Sequence, residues 1–187
     1  LWSGLGYYSR ARNLHRCAQA VVSRHEGQFP KSSEQLQTLP GIGRSTAAAV
    51  AAFCFAERVA ILDGNVKRVL TRVLGFDGDL SLAAQERALW TEATALLPAR
   101  GVEAYTQGLM DLGATLCSVR SPQCLLCPAQ PHCSAARSGT PQSYPVKSVK
   151  LKRSRREHVW LWLTWGRKNW LVKRPDQGVW AGLWSLP

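Results

Sequence analysis

The sequence predicts a mainly α-helical domain over residues 1–136, a basic linker over 137–157, and the beginning of an α+β domain over 158–187. Three observations support this. Apolar residues recur at helical spacing from about residue 7 to 136. Residues 137–157 then collect Arg137, Lys147, Lys150, Lys152, Arg153, Arg155 and Arg156 among Ser, Pro and Gly, with few large apolar groups. From His158 onward Val159, Leu161 and Leu163 alternate with Trp160 and Trp162, the period of a strand.

Taken in order, Leu14, Cys17, Ala18, Val21 and Val22 mark a first helix that Gly27 and Pro30 close. Ser32 or Ser33 is placed to cap a short helix ending before Pro40. Residues 44–57 are apolar nearly all round, from Ala47 to Phe53, which predicts a helix in the interior. Val59-Ala60-Ile61-Leu62 leads to Asp63, and Val66, Val69, Leu70 and Val73 trace the next helix. Two more are expected around 82–97 and 101–117, the second delivering Cys117. In the last segment Gly166-Arg167-Lys168-Asn169 reads as a turn before Trp170-Leu171-Val172. No internal repeat or low-complexity tract is present.

The 24 basic and 12 acidic residues leave a net charge of +12. A charge of that size attracts a polyanion, and nucleic acid is the usual one. No stretch reaches the roughly 18 consecutive apolar residues of a membrane span. Reduced cysteines and no export signal point to the cytoplasm. Leu1 in place of Met, and Pro187 directly after a Trp-rich segment, are the ends expected of a fragment.

Cys117, Cys124, Cys127 and Cys133 are separated by gaps of six, two and five residues. Four thiolates this close can wrap one inorganic centre, and Cys₄ ligation is how proteins hold a 4Fe–4S cluster. Structural zinc usually takes two close ligand pairs, whereas only Cys124 and Cys127 form one here. Disulfides suit a small secreted chain better than this one. From spacing alone the three remain open. Cys17 and Cys54 fall in apolar helical stretches and are expected to be buried thiols.

Leu39-Pro40-Gly41-Ile42-Gly43-Arg44-Ser45-Thr46 places two glycines around an apolar residue, just before a helix. That pattern allows a tight turn with N–H groups facing outward, reinforced by the positive end of the following helix. Such a turn can hold a phosphate without reading sequence. An ordinary helix–helix turn has the same composition.

Together with Ile61-Leu62-Asp63-Gly64-Asn65-Val66-Lys67-Arg68-Val69 and the cysteine run, this segment resembles the helix–hairpin–helix DNA glycosylase (endonuclease III) superfamily. Leu1-Trp2-Ser3-Gly4-Leu5-Gly6-Tyr7-Tyr8-Ser9-Arg10-Ala11-Arg12-Asn13-Leu14 and Met110-Asp111-Leu112-Gly113-Ala114 are similar to its MutY-type adenine DNA glycosylase branch. Arg174-Pro175-Asp176-Gln177-Gly178-Val179-Trp180-Ala181-Gly182-Leu183-Trp184 resembles the opening of that family's Nudix-like domain. The resemblance implies a helix–hairpin–helix glycosylase core carrying a 4Fe–4S cluster on Cys117, Cys124, Cys127 and Cys133. It also implies double-stranded DNA containing A:8-oxoguanine or A:G mispairs as the partner, and a monomer of bacterial type associated with the nucleoid.

The same resemblance implies roles for single residues. Asp63 takes the place of the family's catalytic aspartate, which stabilises or traps the sugar cation once the base has been flipped out. On the residues alone, Asp63 reads first as a helix N-cap. Asn65 orients that chemistry. Ser45 stands where the endonuclease III branch has a Schiff-base lysine, which implies a monofunctional enzyme. Tyr7 is expected to wedge into the duplex, and Gln107 to lie near the adenine. Gly41, Ile42, Gly43, Arg44, Lys67, Arg68 and Arg72 are expected beside phosphates. The family's general acid is a glutamate upstream of the Leu-Trp-Ser-Gly motif, and Glu26, Glu34 and Glu57 lie in the wrong context to replace it. Residues 1–187 by themselves are therefore expected to be impaired and, without the first helices of the barrel, to fold poorly. A lyase of the endonuclease III type and a non-catalytic DNA-binding module are the competing readings.

Overall fold

The computed structural model describes Trp2, residues 5–149, Arg155 and residues 157–187. Leu1, Ser3 and Gly4 of the N-terminal motif, and Lys150, Lys152, Arg153 and Arg156 of the basic linker, lie outside the described residues. The chain divides into two compact units, Arg12–Lys150 and a smaller one combining Leu1–Ala11 with Leu151–Pro187.

The helices follow the order expected: α1 (Tyr8–His25, of which the larger unit takes the part from Arg12), α2 (Ser33–Leu36), α3 (Arg44–Phe55), α4 (Gly64–Leu74), α5 (Ala83–Ala95) and α6 (Val102–Ala114). The four-residue α2 is too short to stand alone. It is held by Ser32, whose side chain accepts from the Gln35 N–H at 3.3 Å, and by fully buried Leu36, whose burial contributes roughly 2 kcal/mol. Glu57 completes its support by accepting from the Ser33 N–H at 2.6 Å and from the Ser33 hydroxyl at 2.7 Å.

α3 explains its own alanine-rich sequence. Ala47 and Ala51 pack into one core with Cys17, Ala20, Val21, Leu36 and Leu39. Ala48 and Ala52 pack into a second with Ile61, Leu62, Val66, Leu70, Leu89 and Trp90. A helix between two cores must be apolar on two flanks, and small on both where its neighbours come close. The expectation of an interior helix needs one correction, because a third strip is open to solvent. Phe53 is 41% exposed and Cys54 is exposed, so Cys54 is not the buried thiol that its apolar neighbours suggested. Cys17 is buried as expected.

α4 starts at Asp63, whose Oδ1 accepts from the Val66 N–H at 2.8 Å, and stops at Gly75 in the left-handed conformation. α6 approaches α4 closely at Gly113, where an added Cβ would come within 2.7 Å of the Asn65 Cβ. α6 ends at Ala114, so Cys117 is delivered by the turn that follows, pinned by its N–H to the Leu112 carbonyl at 2.7 Å. Two 3₁₀ turns (Cys124–Leu126 and Gln130–His132) and α7 (Ser134–Arg137) carry the remaining cysteines. Beyond them Val146 accepts from the Leu80 N–H, and Asp79 accepts from the Ser148 N–H. Hydrogen bonds from Ser148 and Ser81 hold the Asp79 carboxyl well below the usual carboxylate range.

The smaller unit holds two short antiparallel hairpins. β1 (Thr164–Trp165) pairs with β2 (Lys168–Asn169), and β3 (Val172–Lys173) pairs with β4 (Trp184–Ser185). The expected four-residue turn contracts to Gly166-Arg167, with Lys168 and Asn169 recruited into β2. A two-residue hairpin loop with glycine first, here at φ 56°, accounts for this. Val159–Leu163 form no regular strand among the described residues, although Leu161 donates its N–H to the Pro187 carbonyl at 3.0 Å and the Leu163 carbonyl accepts from the Trp170 N–H at 2.9 Å. The rings of His158, Trp160 and Trp180 instead gather 5.8–5.9 Å apart.

Candidate nucleic-acid interface

The turn between α2 and α3 is built around Gly41, at φ 78°. An added Cβ there would meet the Asn13 Cβ at 2.5 Å, so both the backbone angle and the neighbouring α1 demand glycine. Leu39, 3% exposed, anchors the turn in the core, and its carbonyl accepts from the half-buried Ile42 at 3.2 Å. Gly43 caps α3 in an extended conformation with no side-chain hydrogen bond and open space beside it. Among the described residues, the N–H groups of Gly43, Arg44, Ser45 and Thr46 have no hydrogen-bond partner. No acidic residue occupies the first turn of α3. Four outward donors and an unneutralised helix dipole make this a seat for an anion. Beside it Arg44 is exposed and stacks its guanidinium 3.8 Å over the Trp90 ring, which holds the charge at the surface.

Asp63 is half-buried, and its capping bond uses Oδ1 alone. Among the described residues Oδ2 has no partner. The residue before it, Leu62, donates its N–H to the Ser45 hydroxyl at 3.2 Å, so the start of α3 and the start of α4 are joined directly. Asn65 accepts from Arg68 Nη2 at 2.9 Å. Gln107 is exposed on α6 and donates to Asp111 at 2.7 Å. Tyr7 belongs to the smaller unit, where it is 78% exposed with φ 46°.

The basic residues of α4 need correction. Arg68 is 9% and Arg72 2% exposed, so neither faces a phosphate. Arg68 donates to the carbonyls of Cys117 at 2.8 Å and Gly113 at 2.6 Å. Arg72 donates to the carbonyls of Pro141 and Ser118, both at 2.7 Å, to that of Val119 at 3.2 Å, and to Cys117 Sγ at 3.3 Å. The flat fork of a guanidinium can satisfy several loop carbonyls at once, and both arginines are spent on that task. Lys67 is ion-paired with Glu86.

Arg72 and the four cysteines Cys117, Cys124, Cys127 and Cys133 line one cavity with Val69, Leu112 and Leu116. All six cysteines of the chain are free, which removes the disulfide alternative. Burial, then the neighbouring Cys133, Cys117 and Cys127, push the Cys124 thiol up, while Arg72 opposes the shift. Among the described residues no three His, Cys, Asp or Glu side chains converge tightly enough to hold a single metal ion. Four thiols lining one apolar cavity are the donor set that a four-cysteine centre takes.

The sequence reading missed Asn13 behind Gly41 and Trp90 beneath Arg44. Nothing in their local pattern distinguishes them from ordinary helix residues.

The helix-hairpin-helix motif matches residues 24–53. Over its full length the chain is 36% identical to the adenine DNA glycosylase of Buchnera aphidicola from Acyrthosiphon pisum, covering 53% of that protein. It is likewise 35% identical to the human adenine DNA glycosylase, covering 43%. The chain thus spans about half the length of the curated relatives it matches. Among solved structures it resembles a trapped endonuclease III–DNA covalent intermediate, with 26% identity and a TM-score of 0.59. That match covers 73% of this chain and 62% of the other.

Proposed function

We propose that the chain belongs to the adenine DNA glycosylase family and that the whole protein hydrolyses the N-glycosidic bond of adenine mispaired with 8-oxoguanine or guanine. The observation that carries this reading is a half-buried carboxylate, with one oxygen unspent, joined through Ser45 to an open helix start. The two features divide the labour. The N–H groups of Gly43 to Thr46, with exposed Arg44, hold backbone phosphate and position the duplex without reading it. The adenosine is swung out of the stack, at a cost that a mispair lowers. Positive charge then develops on the sugar, and Asp63 Oδ2 stabilises it electrostatically or captures it.

Tyr7, exposed and held at positive φ, is the wedge that occupies the place of the displaced stacking partner. Gln107 presents an amide to the purine edge once its bond to Asp111 is exchanged. Ser45 carries no amine, so no Schiff base forms and the enzyme is monofunctional. Protonation of the departing base requires an acid worth on the order of a hundredfold in rate. Glu57 is committed to Ser33, and Glu26 and Glu34 are exposed on α1 and α2 margins.

Cys117, Cys124, Cys127 and Cys133 would hold a 4Fe–4S cluster. When bound it would supply a covalent cross-link that fixes the loop rather than electrons, since the hydrolysis moves none. Residues 158–187 are assigned to the opening of a Nudix-like domain.

Adenine release from an A:8-oxoguanine duplex by the whole protein tests the central reading. Release without a borohydride-trapped adduct supports it, and a trapped lysine adduct overturns the monofunctional assignment. Stoichiometric zinc in place of an iron–sulfur absorbance band removes the cluster.

A further inference from the structure

Ser45 sits at the second position of α3, within the row of outward N–H groups, yet its side chain turns the other way. Its hydroxyl oxygen accepts from the N–H of Leu62, the residue immediately before Asp63, at 3.2 Å. Leu62 itself is 2% exposed, so its backbone donor has no solvent to fall back on. Asp63 in turn opens α4 by capping Val66. A continuous connection therefore runs from the anion-holding turn, through one hydroxyl, to the carboxylate.

We propose that Ser45 is a positioning residue that couples the phosphate grip at the start of α3 to the placement of Asp63. This rests on the functional reading above and adds to it a role that absence of an amine does not explain. The coupling works because both ends are constrained: Gly43 to Thr46 move with the bound phosphate, and Leu62 cannot shift without turning Asp63. The hydroxyl also keeps one proton to donate, so tightening of the turn does not cost Ser45 its own solvation.

The test uses the whole protein with Ser45→Ala and Ser45→Thr, the latter keeping the hydroxyl. Single-turnover adenine release should fall roughly tenfold or more in Ser45→Ala, because small misplacements of a reacting group are costly. Affinity for a duplex carrying an uncleavable adenosine analogue should stay within about twofold, and Ser45→Thr should recover most of the rate. Amide exchange supplies a readout independent of catalysis. Binding of that duplex should slow exchange at Leu62 to Val66 in the unaltered protein and in Ser45→Thr, but not in Ser45→Ala. Equal rates and equal exchange in all three proteins overturn the proposal. An equal loss in both variants also overturns it, since the hydroxyl would then be irrelevant. Absence of adenine release in the unaltered protein would refute the functional reading, while the exchange pattern would still decide the coupling.

Discussion

α3 and α4 follow one another in sequence and meet the same problem differently. Every helix start leaves N–H groups without partners. α4 closes one of its own, that of Val66, with the carboxylate of Asp63, and α3 leaves Gly43 to Thr46 open, with no side-chain cap and no acidic residue in its first turn. An open start favours an anion from outside, whereas a closed one holds a charge of its own in a fixed place. Under the proposed function, phosphate and nascent sugar cation have opposite signs, and the two helix starts would be complementary to each in turn.

The sharpest way to break this pairing is Asp63→Asn. Asparagine caps helices about as well as aspartate, so α4 should persist. Release of adenine should nevertheless fall by at least about a hundredfold, with duplex affinity nearly unchanged. Near-normal turnover in that variant would remove Asp63 from the chemistry. Next in size is the frame behind α4. Arg72→Met strands the carbonyls of Ser118, Val119 and Pro141, and should cost about 3 kcal/mol in denaturant unfolding together with the absorbance of any cluster. A variant that unfolds like the parent would show that the loop holds itself.

Gly43→Asp makes the first start imitate the second. The new carboxylate would cap α3, and the space beside Gly43 is free to receive it. Thermal stability should hold or rise slightly, while affinity for any duplex should drop roughly tenfold and its salt dependence flatten. Unchanged affinity would move the phosphate seat elsewhere. The smallest effect concerns Asp79, whose depressed carboxyl keeps its charge where ordinary aspartates lose theirs. Its stabilising contribution is full above the unfolded value of about 3.9 and is lost only as pH falls through the lower folded value. The Ser148 amide should therefore exchange as slowly at pH 4 as at pH 7 once intrinsic rates are corrected, and Asp79→Asn should speed it at both.

The helices were legible in the sequence because their signals are local. The 3.6-residue period, the serine before α2 and Asp63 each act within one turn of their own position. Gly41-Ile42-Gly43 was legible as a turn for the same reason, though the pressure of Asn13 on it was not, since α1 and that turn are distant in sequence. Arg68 and Arg72 show where local reading fails. On a helix in a chain of net charge +12 a basic residue suggests solvent or phosphate, and only the returning loop reveals five carbonyl acceptors around them. Cys54 fails in the opposite direction, apolar in company but exposed in place. The four cysteines needed no such correction for their grouping, because seventeen residues leave little freedom to scatter them.

Since Ala47 and Ala51 face one core while Ala48 and Ala52 face the other, neither flank of α3 has slack. A bulkier side chain on either side would lever the rod toward its opposite neighbour and tilt the glycine corner at its tip. On the proposed function, variation arriving far from any nucleotide would then surface as a fault in how the duplex is gripped, through geometry alone.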